Sequence, residues 1–204
     1  DYSQVVISNL MAHIGTKQET VLNEATVRHM VLNSLRKYNF TYGKKYGDIV
    51  ICCDDTNYWR KDFFPLYKSH RKKDREDSVH DWNAIFEIVN NLKQELRDHM
   101  PYKVLQVSRA EADDIIGSLC EEFGSYTKTD LEPILIISGD KDFTQLQKYS
   151  NVYQFSPLTK KFITTDNPER FLREHIILGD SGDGIPNIFS DDDALANPDK
   201  RQKS

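Results

Sequence analysis

Pro133-Ile134-Leu135-Ile136-Ile137-Ser138-Gly139-Asp140-Lys141-Asp142-Phe143-Thr144 is the stretch whose reading decides the fold. Four consecutive apolar residues bounded by Pro and Gly are too few for a helix and read as a strand buried on both faces, of the kind found in the middle of a parallel sheet. Ligands of open α/β sheets bind beyond the carboxyl ends of the strands, so Asp140 and Asp142 are delivered to a site. A D-x-D pair alone says little. Its weight comes from three further acidic clusters placed in the same way.

Upstream, residues 103–107 read as a strand, and Ser108-Arg109-Ala110-Glu111 as a capping box opening a helix through Ile115, Ile116, Leu119 and Phe123 to Gly124. Asp113 and Asp114 then occupy its first turns. Acidic residues there stabilise the helix dipole by ~0.3–1 kcal/mol each, which accounts for Glu111 as well as a function does. Two further aspartates exceed what capping requires. Residues 48–53 form a short buried strand that ends at Asp54 and Asp55, behind a helix capped by Asn23, spaced through Val27, Met30, Val31 and Leu35, and ending near Gly43. Trp82, Ile85, Phe86, Val89, Leu92 and Leu96 mark one stripe of a long amphipathic helix that Pro101 stops.

Downstream, residues 152–155 and 161–164 flank Ser156-Pro157 as an edge hairpin, and Asn167-Pro168 opens another helix. The loop Leu178-Gly179-Asp180-Ser181-Gly182-Asp183-Gly184-Ile185-Pro186 is the fourth cluster, its glycines letting the backbone bend tightly enough to aim Asp180 and Asp183. This alternation of strand and helix predicts an α/β fold, a mainly parallel central sheet with helices on both faces.

Residues 58–77 break the pattern: Y-W-R-K-D-F-F-P-L-Y-K-S-H-R-K-K-D-R-E-D. Positions 60–75 carry a net charge of +5, leaving −10 for the rest of a chain whose total is −5. Charge this dense around Pro65 reads as one or two mobile helices crossing the site. A solvated helix face is the plain alternative, but cations interleaved with aromatics offer charges for phosphates and faces for bases. Tyr58, Trp59, Arg60, Tyr67, Lys68, Arg71, Lys72, Lys73 and Arg75 are therefore the expected nucleic-acid contacts.

At 204 residues, 38% hydrophobic and 29% charged, the chain has room for one α/β domain with a sizeable core. That domain is expected over residues 1–186, with the apolar-poor residues 187–204 as a truncated or disordered end. The opening Asp1-Tyr2-Ser3-Gln4, with no Met and no strand before it, reads as a trimmed beginning. No apolar run suits a membrane span and no signal-peptide pattern is visible. Cys52, Cys53 and Cys120 lie in apolar segments without zinc spacing and read as reduced core thiols of a cytoplasmic protein.

The topology gathers Asp54, Asp113, Asp140 and Asp142 from separate segments, with Asp1 and Asp183 placed to complete a ring. So many carboxylates repel unless hard divalent cations, Mg²⁺ or Mn²⁺, bind among them. Two such ions ~4 Å apart would activate water on one side of a phosphodiester and stabilise the leaving oxygen on the other. The six histidines are scattered and read as standing apart from the clusters.

Five motifs in one order, I-C-C-D before Y-W-R-K-D-F, Y-K-S-H-R, A-E-A-D-D, S-G-D-K-D-F-T-Q-L and G-D-S-G-D-G-I-P, together with D-Y-S-Q at the start, resemble the 5′-nuclease (flap endonuclease) family, above all its bacteriophage ribonuclease H branch. The resemblance implies a PIN-like core with a basic helical arch at about 58–77. It implies metal ligation by Asp1, Asp54, Glu111, Asp113, Asp140, Asp142 and Asp183, with Asp114 and Asp180 beside them. Lys68 and Arg71 would touch the scissile phosphate and the threaded strand, joining Asp113 and Asp140 as the catalytic set. The implied activity is Mg²⁺-dependent 5′→3′ exonuclease, flap endonuclease and RNase H cleavage of 5′-flap DNA and RNA–DNA primers during replication. The implied partners are single-stranded-DNA-binding protein or replication machinery, and the implied state a monomer in the cytoplasm, the host's if phage-encoded. Two other readings stand beside it. Asp140-x-Asp142-x-Thr144 also fits the nucleophile motif of haloacid-dehalogenase-like phosphatases, and a catalytically inactive nucleic-acid-binding module would keep the arch alone.

Overall fold

The computed structural model describes residues 1–14, 23–125, 132–197 and 199–203. Two helices lead. The first, α1 (Tyr2–Ile14), was not anticipated; it buries Val6 and Leu10 against α2 (Glu24–Tyr46). Asn23 caps α2 by accepting from the Ala25 amide, and Val27, Val31 and Leu35 form its buried stripe. The helix runs through Gly43 to Gly47, where φ reaches +77°, so the stop lies four residues beyond the expected one.

Strand β1 (Val50–Cys53) pairs in parallel with β2 (Lys103–Gln106). Between them come α3 (Arg60–Phe63) and α4 (His70–Glu76), the two short helices expected around Pro65, and α5 (Trp82–His99). The core face of α5 is Ile85, Ile88, Leu92 and Leu96, whereas Phe86, expected on that face, is exposed. Helix α6 (Ala112–Phe123) opens on a capping box, but one frame later than expected: Glu111 is the cap and Asp114 its reciprocal partner. Glu111 wins over Ser108 because residues 107–110 turn the chain away from β2, with Arg109 at φ +66° and the Ala110 amide bonded to the Val107 carbonyl.

Strand β3 (Ile134–Ile137) pairs in parallel with β4 (Val152–Ser156), which carries β5 (Lys161–Ile163) antiparallel as the expected edge hairpin. A 3₁₀ segment, η1 (Lys141–Lys148), links β3 to β4, and α7 (Pro168–Leu178) packs against it. The fold is α/β as predicted, but the sheet is not one ladder. Among the described residues β3 pairs only with β4, so it lies at the rim of its ladder instead of the middle. Residues 49–52 and 133–137 both line an apolar cavity of 630 Å³. Two apolar clusters follow the division, one of α1, α2, α5 and β1, the other of Cys52, α6, β3 and η1. The three cysteines are buried and free, as expected.

Both ladders direct their carboxyl ends to the same side, where Asp54 and Asp140 follow β1 and β3. Helices α3 and α4 bury no residue of their own; Tyr67, between them, is the buried anchor. A segment with so little buried apolar surface opens easily. Trypsin should therefore cut first among Arg71, Lys72, Lys73 and Arg75 and slow when tailed DNA is added with Ca²⁺. Mass spectrometry of the first fragments checks this, and a first cut inside α5 would contradict it.

Candidate active site

Five backbone positions deliver the carboxylates. Asp54 leaves the end of β1 and is fixed by the Ala112 amide (2.8 Å) and the Ser3 hydroxyl (2.7 Å). Asp1 accepts from the Gln4 amide and from Ser138 Oγ, both at 3.1 Å, which ties α1 to the end of β3. Asp140 caps η1, accepting from the Asp142 amide at 3.0 Å. Glu111 and Asp113 stand at the N-terminus of α6, where the helix dipole favours negative charge. Asp180 closes its own loop by accepting from the Gly182 amide at 2.8 Å.

The basic segment closes over this ring. Glu111, 3% exposed, accepts from the Tyr67 hydroxyl (2.8 Å), Lys68 Nζ (2.7 Å) and Arg60 (3.0 Å). Asp183 accepts from Arg71 at 2.8 Å and from the Tyr67 hydroxyl at 3.0 Å, and its carbonyl takes the Lys68 amide. Gly184 sits at φ +76° under this contact, where a Cβ would lie 3.1 Å from the Leu66 carbonyl oxygen. The arch is thus docked by name-specific bonds on the loop that holds Asp180 and Asp183.

Several expectations need correction. Tyr67 is 4% exposed, so its ring has no free face for a base; burial and its carboxylate neighbours hold its hydroxyl protonated as a donor. Arg60 is committed to both oxygens of Asp114, whose Oδ2 also receives the Trp59 indole and the Glu111 amide. Asp114 therefore faces the arch, and these contacts hold its pKa below the ordinary value despite burial. Asp55 binds the Arg109 amide and stays out of the ring. The histidines do not all stand apart: His175 Nε2 is 3.0 Å from Asp142 and 3.4 Å from Asp180. Sequence reasoning also passed over Lys141, whose Nζ meets Asp180 at 3.0 Å, and Ser3 and Ser138. Lys141 lies between the two aspartates of the quoted stretch, and His175 is five residues before Asp180, which were the available signals. The nucleic-acid set divides accordingly: Trp59, Arg71, Lys72 and Lys73 are exposed, Tyr58, Lys68 and Arg75 partly covered.

Burial, then Asp140, pushes the Asp113 carboxyl up to about 7; Asp54 and Glu111 add to the rise and Lys68 opposes it. Burial and Asp140 likewise raise Asp142. One buried oxygen, Asp142 Oδ1, receives no hydrogen bond of good geometry. A carboxyl pushed up to about 7 at Asp113 and a buried oxygen without a donor at Asp142 fit a site for divalent cations, and the many carboxylate oxygens suit hard ions of the Mg²⁺ or Mn²⁺ kind.

Residues 10–175 match the family model described as 5′-3′ exonuclease, N-terminal resolvase-like domain. The chain is 39% identical over 194 residues to ribonuclease H of Enterobacteria phage T4, covering 92% of this chain and 61% of that protein. It thus spans less than two thirds of that relative's length. Its fold resembles the phage T5 protein co-crystallised with metal ions, at a TM-score of 0.69 and 16% identity over 92% of this chain and 67% of that one. It also resembles the phage T5 flap endonuclease in a pseudo-enzyme-product complex with DNA and metal ions, at a TM-score of 0.65 and 18% identity over 79% and 61% of the respective chains.

Asp113 has its folded pKa raised from 3.8 to about 7, so the folded state binds more protons than the unfolded one between those values. Stability is accordingly lost as pH rises through that window. In EDTA, Asp113→Asn should melt about 5 °C or more above the parent protein at pH 8, with the difference shrinking towards pH 5. Thermal unfolding at both pH values checks this.

Proposed function

The chain belongs to the 5′-3′ exonuclease family, matching its N-terminal resolvase-like domain, and from this we propose that it is the catalytic part of a divalent-metal-dependent 5′-nuclease. It hydrolyses phosphodiesters of 5′-flap DNA and RNA–DNA primers during replication, as 5′→3′ exonuclease, flap endonuclease and RNase H. The observation that carries this reading is the ring of carboxylates lying directly under an arch whose Lys68 and Arg71 point into it. Asp1, Asp54, Glu111, Asp113, Asp140, Asp142, Asp180 and Asp183 would hold Mg²⁺, with Mn²⁺ as a substitute. Bound there, such ions supply an activated water and stabilise the leaving oxygen.

The chain's own residues do the rest. Lys68, only 10% exposed at its side chain, is a desolvated cation next to the ring, where charge developing on a phosphate is stabilised most. Arg71 is half open and reaches the same loop, placed to hold the strand as it enters. Trp59 keeps a face for stacking, and Lys72 and Lys73 lie outward for backbone contact. Asp114, through Arg60, fixes the arch's first helix instead of binding metal. Single-stranded-DNA-binding protein or other replication proteins would deliver the substrate to a monomer working in the cytoplasm, the host's if phage-encoded. The described residues contain no helix long and apolar enough to cross a membrane.

The phosphatase reading is disfavoured by position. Asp140 follows the third strand instead of the first, and one of its oxygens is spent capping η1. A purely binding module would not need a ring of mutually repelling carboxylates.

With Mg²⁺ or Mn²⁺, cleavage should be confined to 5′ flaps, 5′ ends and RNA–DNA hybrids, sparing 3′ flaps, and Asp140→Asn should remove it. Hydrolysis of small phosphomonoesters without DNA cleavage would instead favour the phosphatase. Lys68→Ala should lower the single-turnover rate by about 10²–10³. Lys73→Ala should chiefly weaken binding and reduce the log–log salt slope by about one. Binding-only losses of equal size in both variants would remove Lys68 from catalysis.

A further inference from the structure

Where the Asp180 loop meets η1 and α7, Asp142, His175 and Asp180 form a group whose donor atoms all lie within 4.8 Å of one another. Among the described residues it is the only such group of His, Cys, Asp and Glu side chains. The group is built by packing. Helix α7 is stopped at Gly179, whose amide returns to the His175 carbonyl, so the His175 side chain is set one turn before the Asp180 loop and against η1. Phe171 stacks on the imidazole at an interplanar angle of 14° and a centroid distance of 5.6 Å, which fixes the ring plane.

The contacts inside the group are those of ligands more than of a salt bridge. His175 Nε2 is 3.0 Å from Asp142 Oδ1, yet that oxygen is buried and receives no hydrogen bond of good geometry. Nε2 is also 3.4 Å from Asp180 Oδ2. Two donors at metal–ligand bonds of about 2.0–2.1 Å stand roughly 3.0 Å apart at a right angle and roughly 3.3 Å apart in a tetrahedron. Both observed separations fall in or next to that range. Lys141, on Asp180 Oδ2 at 3.0 Å, is the cation that would have to yield.

We infer that His175 is a nitrogen ligand at this end of the ring, and that it gives the site a preference for borderline transition metals of the Zn²⁺ and Co²⁺ class over Mg²⁺. The all-carboxylate end, around Asp54, Asp113 and Asp140, keeps the oxygen donors that suit Mg²⁺. Imidazole strengthens binding along the series of first-row divalent ions and adds little for Mg²⁺, which takes oxygen and keeps its waters. The inference rests on the reading of the ring as a divalent-cation site, but binding can be measured without any nuclease assay.

Titration calorimetry with Zn²⁺ and with Mg²⁺ on the full chain, in parent and His175→Gln forms, tests it. Loss of His175 should weaken the tightest Zn²⁺ site at least tenfold and change Mg²⁺ affinity less than twofold. In protein carrying ¹⁵N-histidine, Zn²⁺ should move one Nε2 resonance that is missing from His175→Gln, and Mg²⁺ should leave it in place. Equal melting temperatures of the two metal-free forms control for folding. If Zn²⁺ binds equally well to both forms, or the His175 resonance does not respond to it, His175 is only an ion-pair partner of Asp142 and Asp180, while the divalent site itself stands. If neither metal binds the parent chain, the inference and the proposed metal dependence both fall.

Discussion

Mutual repulsion among buried carboxylates is the constraint on which this structure depends. Asp113 lies within reach of Asp54, Glu111 and Asp140, and Asp142 within reach of Asp140, Asp180 and Asp183. Bringing such groups together out of water is costly unless each charge is met by a proton, a donor or a cation. The protein uses all three. Asp113 is driven towards its protonated form, backbone amides serve Asp54 and Asp140, and Arg60, Lys68, Arg71 and Lys141 cover Asp114, Glu111, Asp183 and Asp180.

Local structure is shaped by the same requirement. The N-terminus of α6 is made from acidic residues in a reciprocal cap, so one short stretch satisfies the helix's free amides and aims Glu111 and Asp113 at the ring. The chain beyond β3 tightens into η1, because Asp140 must turn back at once onto the Asp142 amide. The Asp180 loop closes as an isolated bridge between Asp180 and Ile185 while Gly184 lets the arch backbone approach. In each case a capping bond that would stabilise any fold also sets the direction of a functional side chain.

Much of this was legible in the sequence, for reasons that differ between elements. The strands and helices α2, α5, α6 and α7 announce themselves through apolar spacing and caps, and the acidic clusters follow because their positions are tied to strand ends and helix starts. Helix α1 was missed although Asp1 caps it on the Gln4 amide and Val6 and Leu10 are four apart, because Asp1 reads first as a member of the acidic ring and Val5 and Ile7 blur the stripe. The break between β1 and β3 was hidden because a buried strand reads the same at the rim of a ladder as in its middle. His175 was overlooked because its partners, Asp142 and Asp180, come together only when α7 packs on η1, a long-range fact that local pattern does not carry.

The basic segment shows most clearly where reading by composition stops. Its net charge of +5 against −10 elsewhere invites an external polyanion as the partner, yet the first demand on those charges is internal. Tyr67, Arg60 and Lys68 turn inward because Glu111, nearly inaccessible to water, has no other way to be satisfied. What is left over faces out: Lys72, 82% exposed at its side chain, together with Lys73 and the open side of Arg71. The residues nearest Pro65 are therefore spent on holding the arch down, and those on α4 remain available to a phosphate backbone. A cation that relieved Glu111 and Asp183 would weaken the same bonds that keep the arch closed.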